Sequence, residues 1–225
     1  MGEPEIAARV SARLWDWPVR VVHWALVVLV AFNWWASEDH LNWHRWSGYT
    51  IVGLVVFRIL WGFVGSRTAR FSSFVKGPGA TAAYLKTLPN RDPSDVPGHN
   101  PIGAWSVVAL LLVLVVQVTT GLFAVDVDAF EAGPLSDRVS FELGRQIAEW
   151  HELSFRVLQV LVAVHVLAVA YYLIWKRSNL IGPMFTGRRW FKSDPGLTFA
   201  PFWRIAAVAA IAAAVAWIVS KGFRL

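Results

Sequence analysis

The chain carries six histidines and no cysteine, so its metal-binding and proton-moving chemistry rests on imidazole. His151 and His165 stand fourteen residues apart in WHELSFRVLQVLVAVH, a stretch otherwise nearly as apolar as lipid. On a helix that spacing rises about 21 Å and falls some 40° short of four full turns, so both rings project from nearly one face. Partners exist at both depths. His23 lies about one turn into the first apolar run and His44 just ahead of the second. The spacing therefore predicts two imidazole couples, His44 with His151 towards one leaflet and His23 with His165 towards the other. A zinc site wants four ligands close together, whereas each depth offers two. With no cysteines, disulfides, cysteine-ligated iron–sulfur clusters and covalently attached haem are excluded. Paired imidazoles suit two non-covalent haem b groups, each bis-histidine ligated, with one-electron transfer as the available chemistry. His40 and His99 have no partner at their depth and read as loop residues.

The elements that must position these rings are membrane spans. Of 225 residues, 56% are hydrophobic and 16% charged, with a mean hydropathy of +0.47, a balance foreign to a soluble domain of this size. Five stretches reach the roughly 20 helical residues a bilayer core requires, near Pro18–Ala36, Ser47–Val64, Ile102–Val125, Leu153–Trp175 and Phe202–Ser220. The expected fold is an all-α integral membrane protein: a four-helix transmembrane bundle holding two haems, plus one additional C-terminal transmembrane helix. That gives a di-haem unit over residues 1–180, and a connector with the fifth helix over 181–225. The fifth stretch, RIAAVAAIAAAVAWIV, lacks histidine and reads as a peripheral packing helix. The N-terminal segment is polar and mixed in charge, with no cleavage-site pattern, and reads as uncleaved.

Lys and Arg counted by loop set the orientation. They collect in the N-terminal tail (Arg9, Arg13, Arg20), in 65–101 (Arg67, Arg70, Lys76, Lys86, Arg91) and in 176–201 (Lys176, Arg177, Arg188, Arg189, Lys192). The 37–46 loop has only Arg45. The 126–152 loop sets Asp126, Asp128, Glu131, Asp137, Glu142, Glu149 and Glu152 against Arg138 and Arg145. The expected location is a bacterial inner membrane, multi-pass, with the N-terminus cytoplasmic and the C-terminus periplasmic. The acidic outer loop is expected to carry a short interfacial helix near Ser136–Ala148 and suits docking of a cationic partner. The net charge of +6 follows from this orientation, so no nucleic acid is invoked. Fourteen tryptophans suit interfacial anchoring.

Several side chains stand where they could support the couples. Arg58, in FRILWG, either neutralises a haem propionate or meets a quinone carbonyl, or snorkels to the cytoplasmic face. Arg20, one turn before His23, has the same options, with a topological role as the plainer account. Arg45 and Arg156 flank the outer histidines and stand ready for propionates. Gly48, Gly53 and Gly121 permit close approach of a porphyrin or a helix. Gln117, Thr119 and Thr120 either reach a quinone or, the reading preferred, bond between helices. Trp150, beside His151, is the tryptophan best placed to touch a haem.

The stretches WDWPVRVVHW at 15–24, NWHRWSGYTIVGLVVFRILWGFVGSRTARF at 42–71, GHNPIGAWSVVALLLVLVVQVTTGLF at 98–123 and WHELSFRVLQVLVAVH at 150–165 together resemble the bacterial cytochrome b561 and nickel–iron hydrogenase b-type cytochrome family. The resemblance covers residues 15 to about 180. It implies four helices holding two b haems that exchange electrons with the quinone pool, with His23 and His165 on the inner haem and His44 and His151 on the outer. The implied partner is a periplasmic redox protein, a cytochrome c or an oxidoreductase such as a hydrogenase, and the chain reads as an electron-transfer subunit rather than a stand-alone enzyme. The outer loop looks shorter than in hydrogenase-type members, and the fifth helix is an addition to the pattern. Two other readings compete: a membrane superoxide:quinone oxidoreductase or other small-acceptor reductase, and a non-redox helical membrane protein whose histidines bind a metal or protons.

Overall fold

The structure, a computed structural model, describes residues 9–37, 40–91, 96–126 and 131–224. A strand β1 (Val10–Arg13) precedes α1 (Trp17–Trp35) and α2 (Leu41–Val64). A 3-10 turn at Arg67–Ala69 leads into two short helices, α3 (Phe71–Phe74) and α4 (Pro78–Leu85). Then come α5 (Pro101–Phe123), a 3-10 turn at Ser136–Arg138 and α6 (Phe141–Ile174). The described chain closes with α7 (Ile181–Thr186), β2 (Arg188–Phe191) and α8 (Phe202–Ser220). The helices α1, α2, α5, α6 and α8 are each long and apolar enough to cross a bilayer. The chain is thus a helical, multi-pass membrane protein.

Side-chain caps set where these helices begin. The Asp16 carboxylate accepts the Val19 N–H at 3.0 Å and the Trp61 indole N–H at 2.9 Å, while Pro18 occupies the first turn of α1. Trp61 is completely buried near the end of α2. One carboxylate therefore pins the start of α1 to the end of α2 and fixes the depth of His23 two turns later. Asn100 caps α5 through the Gly103 N–H at 2.8 Å, and Ser140 caps α6 through the Leu143 N–H at 3.3 Å.

Two expectations need correction. No separate interfacial helix forms over 136–148. From Phe141 onward that segment belongs to α6, a continuous helix of 34 residues. Between Arg145 and Glu152 there is no Gly or Pro, so nothing interrupts it. At 1.5 Å per residue α6 is about 51 Å long against a hydrocarbon core of about 30 Å, and its first turns stand clear of the membrane. His151 accordingly lies well inside α6 instead of at its mouth, and His44 lies within the first turn of α2.

The sequence reading also missed a strand pair. β1 runs antiparallel to β2 with Val10 opposite Phe191 and Arg13 opposite Arg188. This pairing, with the contacts around it, gathers residues 9–16, the described residues of the 65–100 connector and residues 176–201 at one end. There the Thr68 hydroxyl donates to the Leu14 carbonyl at 2.8 Å and the Arg67 N–H to the Thr198 carbonyl at 3.1 Å. At the opposite end Arg224 pairs with Asp137 at 2.5 Å, and Arg138 donates to the Gly222 carbonyl at 3.2 Å.

Two apolar clusters fill the interior. One joins Leu14, Trp15, Val19, Val22, Phe57 and Trp61 to Phe191 and to Ile205, Val208 and Ala212 of α8. The other, Ile51, Val55, Leu114 and Leu158, sits at mid-depth among α2, α5 and α6. The fifth long helix packs along α2, where Gly53 lets it come close: a Cβ there would stand 3.3 Å from the Ala216 Cβ. Backbone-close packing also joins α5 to α6, α1 to α2, and α2 to α5. No comparably close approach joins α6 to α1 or α2.

Candidate functional site

Across that wider gap the four histidines meet. The His23 and His165 ring centroids are 6.4 Å apart with planes at 53°. Those of His44 and His151 are 6.2 Å apart at 79°. The inner couple lies towards the β1–β2 end, the outer couple towards the opposite end, and the Ile51, Val55, Leu114 and Leu158 cluster lies between them.

Each outer ring is oriented by a backbone carbonyl. His44 Nδ1 donates to the Asn33 carbonyl at 3.0 Å, and His151 Nδ1 to the Gln117 carbonyl at 2.9 Å, with the Thr120 hydroxyl 3.2 Å away. A proton held on Nδ1 leaves Nε2 with a lone pair, the arrangement a ligating histidine needs. In this structure the Gln117 amide nitrogen stands 3.1 Å from His151 Nε2, its oxygen taking the Ser154 hydroxyl at 2.5 Å. An atom bound at Nε2 would have to displace that amide. Gly121 makes room for the ring, since a Cβ would lie 2.9 Å from His151 Cε1. Asn33 escaped the sequence reading. Its amide donates to the Ser47 hydroxyl at 2.6 Å and to the Leu29 carbonyl at 3.2 Å, and a lone amide in an apolar helix was the available signal.

The inner couple is built differently. His23 stacks edge-on to Trp24 with centroids 5.0 Å apart, and its Nδ1 is buried with no hydrogen-bond partner. His99, read as an ordinary loop residue, is wedged between Trp15 at 4.8 Å and Phe74 at 4.6 Å. Burial above all, together with the charges of Arg58, His165 and His23, pushes its imidazole down to about 3. His40 instead opens α2 and packs on Trp35 at 4.9 Å.

Residues 14–187 match the family described as prokaryotic cytochrome b561. The chain belongs to that family. Among similar cytochromes are two proteins named probable Ni/Fe-hydrogenase B-type cytochrome subunit. The one from Bradyrhizobium diazoefficiens is 24% identical, covering 82% of this chain and 88% of its own length. The one from Rhodobacter capsulatus is 21% identical, covering 84% and 85%. No solved structure matches the chain.

A cytochrome b561 is a membrane electron carrier with haem b, and the residues present fit that group. Two metal–imidazole bonds of about 2.0 Å, plus about 1.1 Å from each nitrogen to its ring centre, would place centroids about 6.2 Å apart. The observed 6.4 and 6.2 Å agree. Two imidazoles in direct hydrogen bond would sit about 1 Å closer. Among the described residues no group of three or more histidines, aspartates or glutamates gathers as a metal site.

The supporting residues divide. Arg58 is buried at 7% exposure, donates to the Ala69 carbonyl at 3.4 Å and lies 5.4 Å above the Phe71 ring, so it holds the turn after α2 and does not snorkel. Arg20 donates to the Phe185 carbonyl. Arg45 is bound to Glu131 at 2.9 Å and Arg156 to Glu152, so both outer arginines are engaged by acids. Trp150 is 47% exposed, on the flank of α6 that a single residue step turns away from His151. Gln117 and Thr120 bond between helices, the preferred reading; the acidic Asp128 lies outside the described residues.

Proposed function

We propose that this cytochrome holds two b haems, one between His23 and His165 and one between His44 and His151, and carries electrons between the quinone pool and a periplasmic redox protein. The observation that supports it is the pair of imidazole couples, with centroids 6.4 and 6.2 Å apart, at two depths of one helix. When bound, haem b would supply one-electron chemistry. The protein's part is to orient and to insulate. The Asn33 and Gln117 carbonyls aim the outer rings, while the apolar cluster of Ile51, Val55, Leu114 and Leu158 keeps water out between the sites.

On this reading residues 1–180 form the di-haem unit and residues 181–225 add a brace. The N-terminus faces the cytoplasm of a bacterial inner membrane and the C-terminus the periplasm, following the loop charges. The partner is a redox enzyme or a cytochrome c; two relatives named as hydrogenase cytochrome subunits favour the first. A pyridine haemochrome assay on purified protein should give two haem b per chain. His165→Ala should leave one, and His44→Ala the other. Wild-type protein that folds without haem would refute the proposal.

A further inference from the structure

Among the described residues four buried side-chain nitrogens lack a hydrogen-bond partner: Arg20 Nε, His23 Nδ1, Arg70 Nε and His99 Nδ1. All four belong to the inner end. Arg20 precedes His23 by one turn of α1. Arg70 opens α3, whose Phe74 stacks on His99, and His99 packs in turn on Trp15, next to the Asp16 cap of α1. A sealed, unpartnered donor is costly, more so on a cation. The described acids at this end cannot relieve it. Both Asp16 oxygens are taken, by the Val19 N–H and the Trp61 indole. Asp194 accepts the Gly196 N–H from an exposed turn at 3.0 Å. The outer end shows the reverse condition, with both ring Nδ1 atoms satisfied and Arg45 and Arg156 already paired with acids.

Resting on the two-haem reading above, we propose that Arg20 and Arg70 form an anion clamp for the inner site, their guanidinium groups binding the propionates of the haem between His23 and His165. Planar guanidinium donors match carboxylates in geometry and charge. Cations retained beside one haem and neutralised beside the other make the inner haem the higher in potential, because net charge and hydrogen bonding are among the settings of a haem potential.

Redox titration of the purified protein, followed by absorbance, tests this. His165→Ala identifies the inner component by its loss, and that component should be the higher of the two. Arg70→Gln and Arg20→Gln should each lower its midpoint, leave the outer midpoint in place, and speed loss of one haem per chain roughly tenfold, as expected for losing one charge-assisted bond. Arg70→Lys, which keeps the charge, should restore most of the midpoint. A second measurement needs no variant: reconstituted with haem b dimethyl ester, whose propionates are capped, the inner site should take up haem more weakly and the outer site normally. Two haems with unchanged inner midpoint and retention in both glutamine variants would overturn the clamp, as would normal uptake of the ester at the inner site. Absence of haem from the wild type would instead refute the underlying proposal.

Discussion

Gly121 shows how little room the outer site leaves. Its missing side chain is the space in which His151 Cε1 sits, and any Cβ there drives the ring out of its couple. Gly121→Val should therefore reduce haem content from two per chain to one, by pyridine haemochrome, while the couple of His23 and His165 persists. His99 yields a prediction in pH. Its imidazole titrates at 6.5 in an unfolded chain and is pushed to about 3 by burial in the fold. Below about 6.5 the unfolded state binds a proton that the folded state refuses, so stability declines as pH falls from 6.5 towards 3 and is level above. His99→Phe keeps an aromatic ring between Trp15 and Phe74, and its melting temperature in detergent should fall less between pH 7.5 and 5 than that of the wild type. That His151 and His165 share a face was legible from spacing, because helical rise and rotation are fixed by the backbone, and His44 and His23 were matched to them by depth. His99 was not, since its burial depends on Trp15 and Phe74, which come from segments remote in sequence.

At the scale of elements, the apolar runs announced the five long helices, because lipid leaves the backbone no other regular solution. The start of α6 was misplaced for a physical reason: hydropathy reports where a helix meets lipid, whereas the helix itself begins at its cap, Ser140. The pairing of β1 with β2 was illegible, since VSAR and RRWF are four residues each and are joined only through tertiary contact. The contact between α2 and α8 depends on Gly53. Gly53→Leu should overpack it against Ala212 and Ala216 and cost about 1–3 kcal/mol, seen as a lower melting temperature with both haems retained, because α8 carries no histidine.

For the whole molecule, the two ends carry different charge economies. The acidic outer loop, read from sequence as suited to docking, is partly neutralised: Glu131 binds Arg45, Asp137 binds Arg224 and Glu152 binds Arg156. The hydrogen bond from Arg224 holds the Asp137 carboxyl below its ordinary range, keeping that pair ionised well into acid. Among the described acids, Glu142 and Glu149 on the outer turns of α6 are what remains for a cationic partner. On the proposed orientation a C-terminal alkaline phosphatase fusion should be active and a C-terminal green fluorescent protein fusion dark; the opposite result would invert it. The strand pair has a further consequence, in time. Val10–Arg13 leave the ribosome long before Arg188–Phe191, and at 5–20 residues per second the delay is roughly ten to thirty seconds. During biogenesis the roof above His23 therefore stays open until β2 has been made, which leaves a window for loading the prosthetic group before the door is sewn shut.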